Sequence, residues 1–392
     1  MSIRKNGAQG NSLFVILTIS FAHLCHDIYS SFLAPILPLL IEKLALSFTS
    51  AGFISVLLRL PSVLSPLIGA LADRVNLKHM VIISPAATAA AMCLMGSAPD
   101  YTSLALLAVA AGISAACFHV PAPVVLRKLT ARRVGAAMSA FQIGGELSRT
   151  LGPIVVLGAV SLWALNGLYR LIPLGVLVSF FLYWALRDVP SSATSSVRHH
   201  IGGSIFKTFA RQRMLFISIA GILLCKCFSA SVIGAYLPTY LTVKGESLWF
   251  AGGALSLVQA FAIIGVFITG TLSDRIGCKK TLVGLTLAAP LAMLLCIYSS
   301  GWLFIVSLAI VGLSAFSSTP VLLALIQKSD FEFPAIANGI YMTCNFMLSS
   351  LAVLLAGKLS DATGIIQTFT CCALFSWAGV PFALLLKKKY DI

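Results

Sequence analysis

Three ionisable side chains stand close together in the apolar stretch FAHLCHDIYSSFLAPILPLL, which runs from Phe21 to Leu40. On a helix, His23 lies one turn before Asp27 on the same face, whereas His26 shares that face only in part. Imidazoles bind and release protons near neutral pH, and a carboxylate one helical turn away on the same face can exchange protons with them. We predict Asp27 as the principal proton carrier, His23 as a relay and His26 as a substrate contact.

The composition of the chain explains why these groups are unusual. Of its 392 residues, 59% are hydrophobic and 10% are charged, with a mean hydropathy of +0.98, whereas soluble proteins carry about 25% charged residues. Apolar runs of about 20 residues, long enough to cross a bilayer as helices, recur along the chain. The sequence therefore predicts an all-α integral membrane protein, in which an ionisable group within a helix costs about 3 kcal/mol unless it faces a cavity or a partner.

Twelve apolar segments divide into two sets of six. They cover approximately residues 13–41, 47–72, 79–98, 102–127, 133–160, 166–187, 214–242, 248–273, 280–299, 302–327, 333–357 and 364–386. The long polar interruption after the sixth segment is rich in Ser, Gly and charge, as linkers are. We predict an N-terminal bundle over 1–187, a cytoplasmic linker over 188–213 and a C-terminal bundle over 214–392.

The basic residues predict orientation rather than nucleic-acid binding. The net charge is +15, and most Lys and Arg residues fall at the segment ends that share a side with the N-terminus. Such an asymmetry is typical of cytoplasmic loops. We therefore predict a multi-pass protein of the plasma or inner membrane, with both termini cytoplasmic and no nucleic-acid partner.

A repeated motif follows the second and eighth segments. GALADRVNLKHM begins at Gly69 and GTLSDRIGCKKT at Gly270, and 270 minus 69 is 201 residues. Two copies at one structural position indicate a duplicated six-helix unit. We predict both copies as gating loops, in which glycine allows close helix crossing and the charged residues mark the turn. The predicted gating residues are Gly69, Asp73, Arg74, Gly270, Asp274 and Arg275.

The paired G-x-L-[AS]-D-R-x-x-x-K motifs resemble the signature loop of major facilitator superfamily transporters. Within that superfamily, the opening stretch, CFHVPAPVVLRKLTARRVGAAMSAFQIGGELSRTLGP and CKCFSASVIGAYLPTYL are similar to the fosmidomycin-resistance efflux group. The resemblance implies 12 transmembrane helices in two pseudo-symmetric six-helix bundles around a central cavity. It also implies alternating access and export of a drug or metabolite driven by protons.

Lys226 lies in the middle of the seventh segment, and subtracting the 201-residue offset gives position 25, two residues from Asp27. We predict that the two side chains approach each other, with Lys226 as charge partner or substrate anchor. A carboxylate that is paired in one state and open to water in the other would couple proton binding to the conformational change. A permanent salt bridge between the two halves is the alternative.

Three further charged residues are candidates for substrate binding or pairing. Arg59 would hold an anionic substrate or pair with Asp27 or Glu146. Glu146 and Arg149 are three residues apart and would form a local bridge or handle protons and substrate directly. The interior positive charges exceed the negative ones by one, which favours an anionic or zwitterionic substrate.

His119, Gln142 and Asn345 are the polar candidates. His119 would be a hydrogen-bonded structural residue or a proton relay, while Gln142 and Asn345 would contact substrate or join helices. The histidines have no second ligand pair at a conventional spacing, so we predict no metal site. The segment GGSIFKT lacks the spacing of a nucleotide-binding loop, and no other cofactor is predicted.

These features together predict a monomeric secondary transporter that exchanges protons for a small organic molecule. An uptake permease or facilitator is the alternative within transport. A membrane enzyme or receptor is less consistent with the sequence, because no nucleophile-base set and no sizeable soluble domain are visible.

Overall fold

The structure is a computed structural model that describes residues 3–65, 68, 77–129, 134–187, 213–328 and 334–386. Every regular element in these ranges is helical. The helices that precede residue 188 are α1 (Ile3–Ser30), α2 (Leu33–Leu44), α3 (Phe48–Arg59), α4 (Lys78–Leu94), α5 (Tyr101–His119), α6 (Pro121–Leu129), α7 (Val134–Trp163) and α8 (Ile172–Leu186). Short 3-10 helices at Leu60–Leu64, Met95–Ser97 and Leu165–Leu171 extend or connect them.

The described residues of the second half form eight further helices. Its helices are α9 (Arg213–Val243), α10 (Leu248–Ile276), α11 (Cys278–Tyr298), α12 (Gly301–Ala315), α13 (Ser318–Lys328), α14 (Pro334–Thr363), α15 (Ile365–Ser376) and α16 (Gly379–Leu384). Among the described residues, 11 helical spans are long and apolar enough to cross a membrane, and Phe48–Leu64 is a shorter apolar helix. These spans lie at the positions of the predicted segments, so the all-α membrane fold with two six-helix bundles is confirmed.

Two spans of the N-terminal half are interrupted close to prolines. The first span is interrupted at Ser31 and Phe32, four residues before Pro35, whereas Pro38 lies within α2 without breaking it. The span Tyr101–Leu126, which is the fourth when the shorter helix Phe48–Leu64 is counted, breaks at Val120, directly before Pro121. A proline ring clashes with the carbonyl group four residues earlier and has no N–H to donate, so a helix usually ends before it. The break in the first span therefore occurs about one turn before Pro35.

The second copy of the repeated motif is helical, which corrects the prediction of a loop. Gly270, Asp274 and Arg275 belong to the last turns of α10, and only Gly277 separates this helix from α11. Gly277 has φ of 94°, a conformation that residues with a side chain rarely adopt, and its N–H donates to the carbonyl of Ser273. Gly69, Asp73 and Arg74 of the first copy lie outside the described residues.

Contacts divide the chain into two units. The N-terminal unit comprises residues 1–45 and 57–198, and the C-terminal unit comprises 46–56 and 199–392. The first part of α3, up to residue 56, therefore groups with the second half of the chain. The predicted domain boundaries at 187 and 214 do not contain this exchange. The predicted linker lies outside the described residues except for Arg213, where α9 begins.

Hydrogen bonds within the C-terminal unit hold this part of α3. Asp361 accepts from the backbone N–H of Phe48 at 2.7 Å and from that of Thr49 at 2.9 Å. The hydroxyl of Tyr236 donates to the carbonyl of Phe48 at 2.8 Å. A carboxylate at this position satisfies free N–H groups and interacts favourably with the positive end of the helix dipole.

Each unit has an apolar core. In the N-terminal unit, α1, α4, α5, α7 and α8 contribute Ile19, Val81, Phe118, Phe141 and Leu182. In the C-terminal unit, Ile222, Leu282, Leu322 and Tyr341 form the corresponding cluster. These cores fix the positions of the helices that carry the polar side chains described next.

Candidate proton and substrate site

Asp27 is surrounded by three imidazoles within the N-terminal unit. Its Oδ2 lies 3.2 Å from His23 Nε2, and its Oδ1 lies 2.8 Å from His26 Nδ1 and 3.1 Å from His119 Nε2. His23 and His26 come from the same helix, whereas His119 is the last residue of α5, where the fourth span breaks before Pro121. Both oxygens of the carboxylate therefore contact imidazole nitrogens, and these nitrogens come from two helices.

The His23 ring is held in place by contacts with α7. Its Nδ1 lies 2.6 Å from the carbonyl oxygen of Phe141, and its ring stacks on that of Phe141 with centroids 3.8 Å apart. Gly145, one turn further along α7, lies against the same imidazole: a Cβ added there would be 2.5 Å from Cε1. The glycine therefore makes room for His23, and any larger residue would displace the ring.

His26 has no exposed surface and is held by a chain of hydroxyl groups. Its Nε2 lies 2.9 Å from Thr88 Oγ1, Thr88 lies 2.7 Å from Ser114 Oγ, and Ser114 donates to the carbonyl of Ser84 at 2.9 Å. The His26 ring also stacks on Phe118. The prediction of His26 as a substrate contact is wrong for this conformation, because a fully buried ring between Asp27 and Thr88 has no surface to offer a substrate.

His119 differs from the other two histidines in its exposure. Its side chain is 40% exposed, compared with 5% for His23 and 14% for Asp27. It contacts Asp27 on one side and has accessible surface on the other. This position suits a group that passes protons between a buried carboxylate and water.

We interpret the contacts to Asp27 as hydrogen bonds. Distances of 2.8 to 3.2 Å between nitrogen and oxygen are ordinary hydrogen-bond lengths. Ligand atoms of His23, Asp27 and His119 lie within 4.8 Å of one another, but each nitrogen is directed at one carboxylate oxygen. The absence of a metal site stays a prediction.

A second polar group follows one face of α7. Arg149 Nη1 lies 3.6 Å from Glu146 Oε2, and Gln142 donates to Glu146 Oε1 at 3.4 Å. The Arg149 side chain is 55% exposed and that of Glu146 is 29% exposed. The structure thus contains the predicted local bridge between Glu146 and Arg149, and it adds Gln142 to it.

Lys226 occupies the corresponding position of the C-terminal unit. Its Nζ donates to Thr319 Oγ1 at 2.8 Å, and the carbonyl of Lys226 accepts from Ser229. A cavity of about 20 Å³ adjoins the lysine. Within the described part of the chain, Ser318 Oγ at this cavity has no hydrogen-bond partner. Lys226 is thus a half-buried cation among hydroxyl groups of its own unit, and its predicted approach to Asp27 stays a prediction.

The remaining candidates are placed as follows. Arg59 is the last residue of α3 and is exposed. Asn345 is half-buried on α14, where its backbone carbonyl lies 4.0 Å from Cys227 Sγ. The substrate roles predicted for both residues stay predictions.

The sequence did not point to Thr88, Ser114 or Gly145. Ser, Thr and Gly are common within membrane helices, and these three lie on spans different from the one that carries Asp27. The pair Gly144-Gly145 was the visible signal, since adjacent small residues mark close helix contacts. Gly144 itself packs against the backbone of Ser20 on α1.

Comparisons with known proteins agree with this architecture. The Major Facilitator Superfamily profile matches residues 19–353. The fosmidomycin resistance protein of Escherichia coli is 25% identical over 377 residues, which cover 94% of this chain and 92% of that protein. The multidrug resistance protein MdtG of Citrobacter koseri is 24% identical over 264 residues, 64% of each chain.

A solved structure shows the same fold. A bacterial homologue of the human lysosomal transporter Spinster, in an inward-facing and unoccupied conformation, has a TM-score of 0.82 and 15% identity. The match covers 97% of this chain and 98% of that chain. With the family profile over most of the sequence, the chain belongs to the Major Facilitator Superfamily and is a multi-pass membrane transporter of small molecules, not an enzyme.

Proposed function

We propose that this protein is a proton-coupled exporter of a small anionic or zwitterionic organic compound, working by alternating access. The observation that carries the proposal is the cluster around Asp27, where a largely buried carboxylate contacts His23, His26 and the partly exposed His119. A buried acid that has an exposed imidazole as its neighbour can exchange protons with water without being exposed itself. Asp27 is the proton carrier in this proposal, with His23 and His119 as relays.

Export is favoured by two relatives whose names refer to resistance, the fosmidomycin resistance protein and MdtG. The preference for negative charge follows from Arg59, Arg149 and Lys226, which outnumber Asp27 and Glu146 by one. Arg149 and Glu146 are partly exposed on α7 and so are accessible to a substrate. The proposed topology is the one predicted from the basic residues, with both termini cytoplasmic in the inner membrane, residues 188–213 as linker and a monomeric protein.

Transport direction is tested in intact cells that overproduce the protein. With fosmidomycin as the first test compound, an exporter lowers cellular accumulation, and a protonophore restores it. A permease or facilitator raises accumulation instead. If a panel of anionic and zwitterionic compounds, fosmidomycin included, shows no protonophore-sensitive flux in either direction, proton-coupled export is wrong.

The role of Asp27 is tested in proteoliposomes with an imposed pH gradient. Asp27→Asn keeps the size of the side chain but cannot lose or gain a proton, so we expect gradient-driven transport to fall to the level of empty liposomes. Asp100→Asn is the matched control, because Asp100 caps α5 outside the membrane spans and asparagine caps equally well. An Asp27→Asn protein that concentrates substrate in proportion to the gradient would exclude Asp27 as the carrier.

A further inference from the structure

The hydrogen bond that His23 makes away from Asp27 fixes the position of its ring hydrogen. Nδ1 lies 2.6 Å from the carbonyl oxygen of Phe141. A carbonyl only accepts, so Nδ1 carries the hydrogen and donates it. In a neutral imidazole, Nε2 then has a lone pair, and it faces Asp27 Oδ2 at 3.2 Å. Two lone pairs repel at this distance, so a further hydrogen must lie between Nε2 and Oδ2.

The same reasoning applies to His26 through the two hydroxyl groups. Ser114 donates its single hydrogen to the carbonyl of Ser84, so at 2.7 Å it must accept from Thr88. The single hydrogen of Thr88 is then used, and at 2.9 Å Thr88 must accept from His26 Nε2. The other ring nitrogen, Nδ1, faces Asp27 Oδ1 at 2.8 Å and also needs a further hydrogen between the two atoms.

A count of hydrogens follows from these two contacts. A carboxylate with two neutral imidazoles has one ring hydrogen on each histidine, and both hydrogens are donated away from Asp27. Each contact to Asp27 needs one more. We infer that the Asp27 cluster holds two exchangeable protons in this conformation, one shared with His23 and one with His26.

The groups around Asp27 are consistent with this count. His23 and His26 on α1 and His119 on α5 are the titratable side chains that contact it among the described residues. The spans of α4 and α7 contribute the Thr88 hydroxyl and the Phe141 carbonyl, which do not titrate. His119 donates to Oδ1 as a neutral imidazole and needs no added proton. On release, both protons go to water by way of His119, which is the exposed member of the cluster.

This inference rests on the proposed function in one respect: the two protons are taken as the coupling ions. One cycle would then exchange two protons rather than one for each substrate molecule. Thr88 and Ser114 act as positioning residues, because they orient the hydrogen on His26 without contacting Asp27.

The proton count is measured directly on the full-length protein in nanodiscs. A pH indicator in weakly buffered solution reports the protons released on a jump from mildly acidic to alkaline pH. We expect the wild-type protein to release about two protons more per chain than Asp27→Ala, which leaves no oxygen opposite either imidazole. A difference of one or none would overturn the inference.

Ser114→Ala separates hydrogen-bond direction from packing. Without Ser114 as acceptor, Thr88 can donate to His26 Nε2, and the neutral ring can then donate from Nδ1 to Asp27. The variant should therefore release one proton fewer than wild type, although Ser114 does not titrate. Thr286→Val is the matched control, because that hydroxyl bonds to the carbonyls of Leu282 and Val283 of its own helix, and its count should equal wild type.

A wild-type count from Ser114→Ala would contradict the assignment. A different result would contradict the proposed function and leave the proton count intact. If two protons are counted but Asp27→Asn still performs gradient-driven transport, the protons exist and are not the coupling ions.

Discussion

Asp27 in the N-terminal unit and Lys226 in the C-terminal unit occupy related positions with different surroundings. Asp27 lies on α1 and contacts His119 at the end of α5. Lys226 lies on α9 and contacts Thr319 on α13. In each half, these are the first and the fourth membrane spans. The two partners are 200 residues apart (319 minus 119), close to the 201-residue offset of the repeated motif. The duplication has therefore kept the position of a charged group but not its chemistry.

The difference lies in what the partner residues can do with a proton. Asp27 contacts three imidazoles, each of which can accept or donate a proton, and one of them is exposed. Lys226 contacts a hydroxyl group and borders a small cavity with Ser318. A hydroxyl stabilises an ammonium group but does not take its proton near neutral pH. One unit therefore places a carboxylate among groups that can exchange protons, and the other places an ammonium group beside hydroxyl groups.

The sharpest test of this contrast is Lys226→Gln. Removing a cation that makes a charge-assisted hydrogen bond costs about 1.5–3 kcal/mol of binding to an anionic group, so the half-saturating substrate concentration should rise roughly tenfold or more. The pH dependence should be retained. Transport measured against substrate concentration at two pH values checks both, with Thr319→Val as a control that keeps the charge. A Lys226→Gln protein that loses its response to the pH gradient would make Lys226 part of the proton site.

Gly145→Ala tests the packing of the N-terminal site. A methyl group would meet the His23 ring, and overpacking of this kind costs about 1–3 kcal/mol. We expect a lower thermal unfolding temperature and a shifted pH profile of transport. Gly158→Ala on the same helix is the control, since a Cβ there meets nothing within 4 Å. Equal behaviour of the two variants would contradict the contact with His23.

The smallest effect is expected at the N-termini of α3 and α10. Asp361 caps α3 from a distant helix, whereas Ser247 caps α10 from the preceding residue by accepting from Phe250 N–H. Loss of a cap costs about 1 kcal/mol, so Asp361→Ala and Ser247→Ala should lower stability by similar small amounts. Thermal unfolding in detergent measures this. Unfolding temperatures equal to wild type would show that neither cap contributes.

The fold was largely predictable because each membrane helix corresponds to a long apolar run in the sequence. The 12 segments and the six-plus-six division follow from local composition and from the repeat. The same pattern makes Asp27 and Lys226 candidates, and their roles stay predictions. The helical end of α10 was not predicted, since one glycine was enough to turn the chain where the motif suggested a loop. The position of residues 46–56 with the second half of the chain was also missed, because it depends on contacts with Tyr236 and Asp361.

Apolar length, basic asymmetry and a repeated motif are local properties of the chain, and they were sufficient to predict a membrane transporter with charged residues inside its helices. Which polar groups contact one another depends on how the helices pack. His119, Thr88 and the carbonyl of Phe141 come from three different helices, and packing brings them to the histidines of α1 and to Asp27. The direction of each hydrogen bond, and with it the number of protons at Asp27, depends on those partners and not on spacing along the chain.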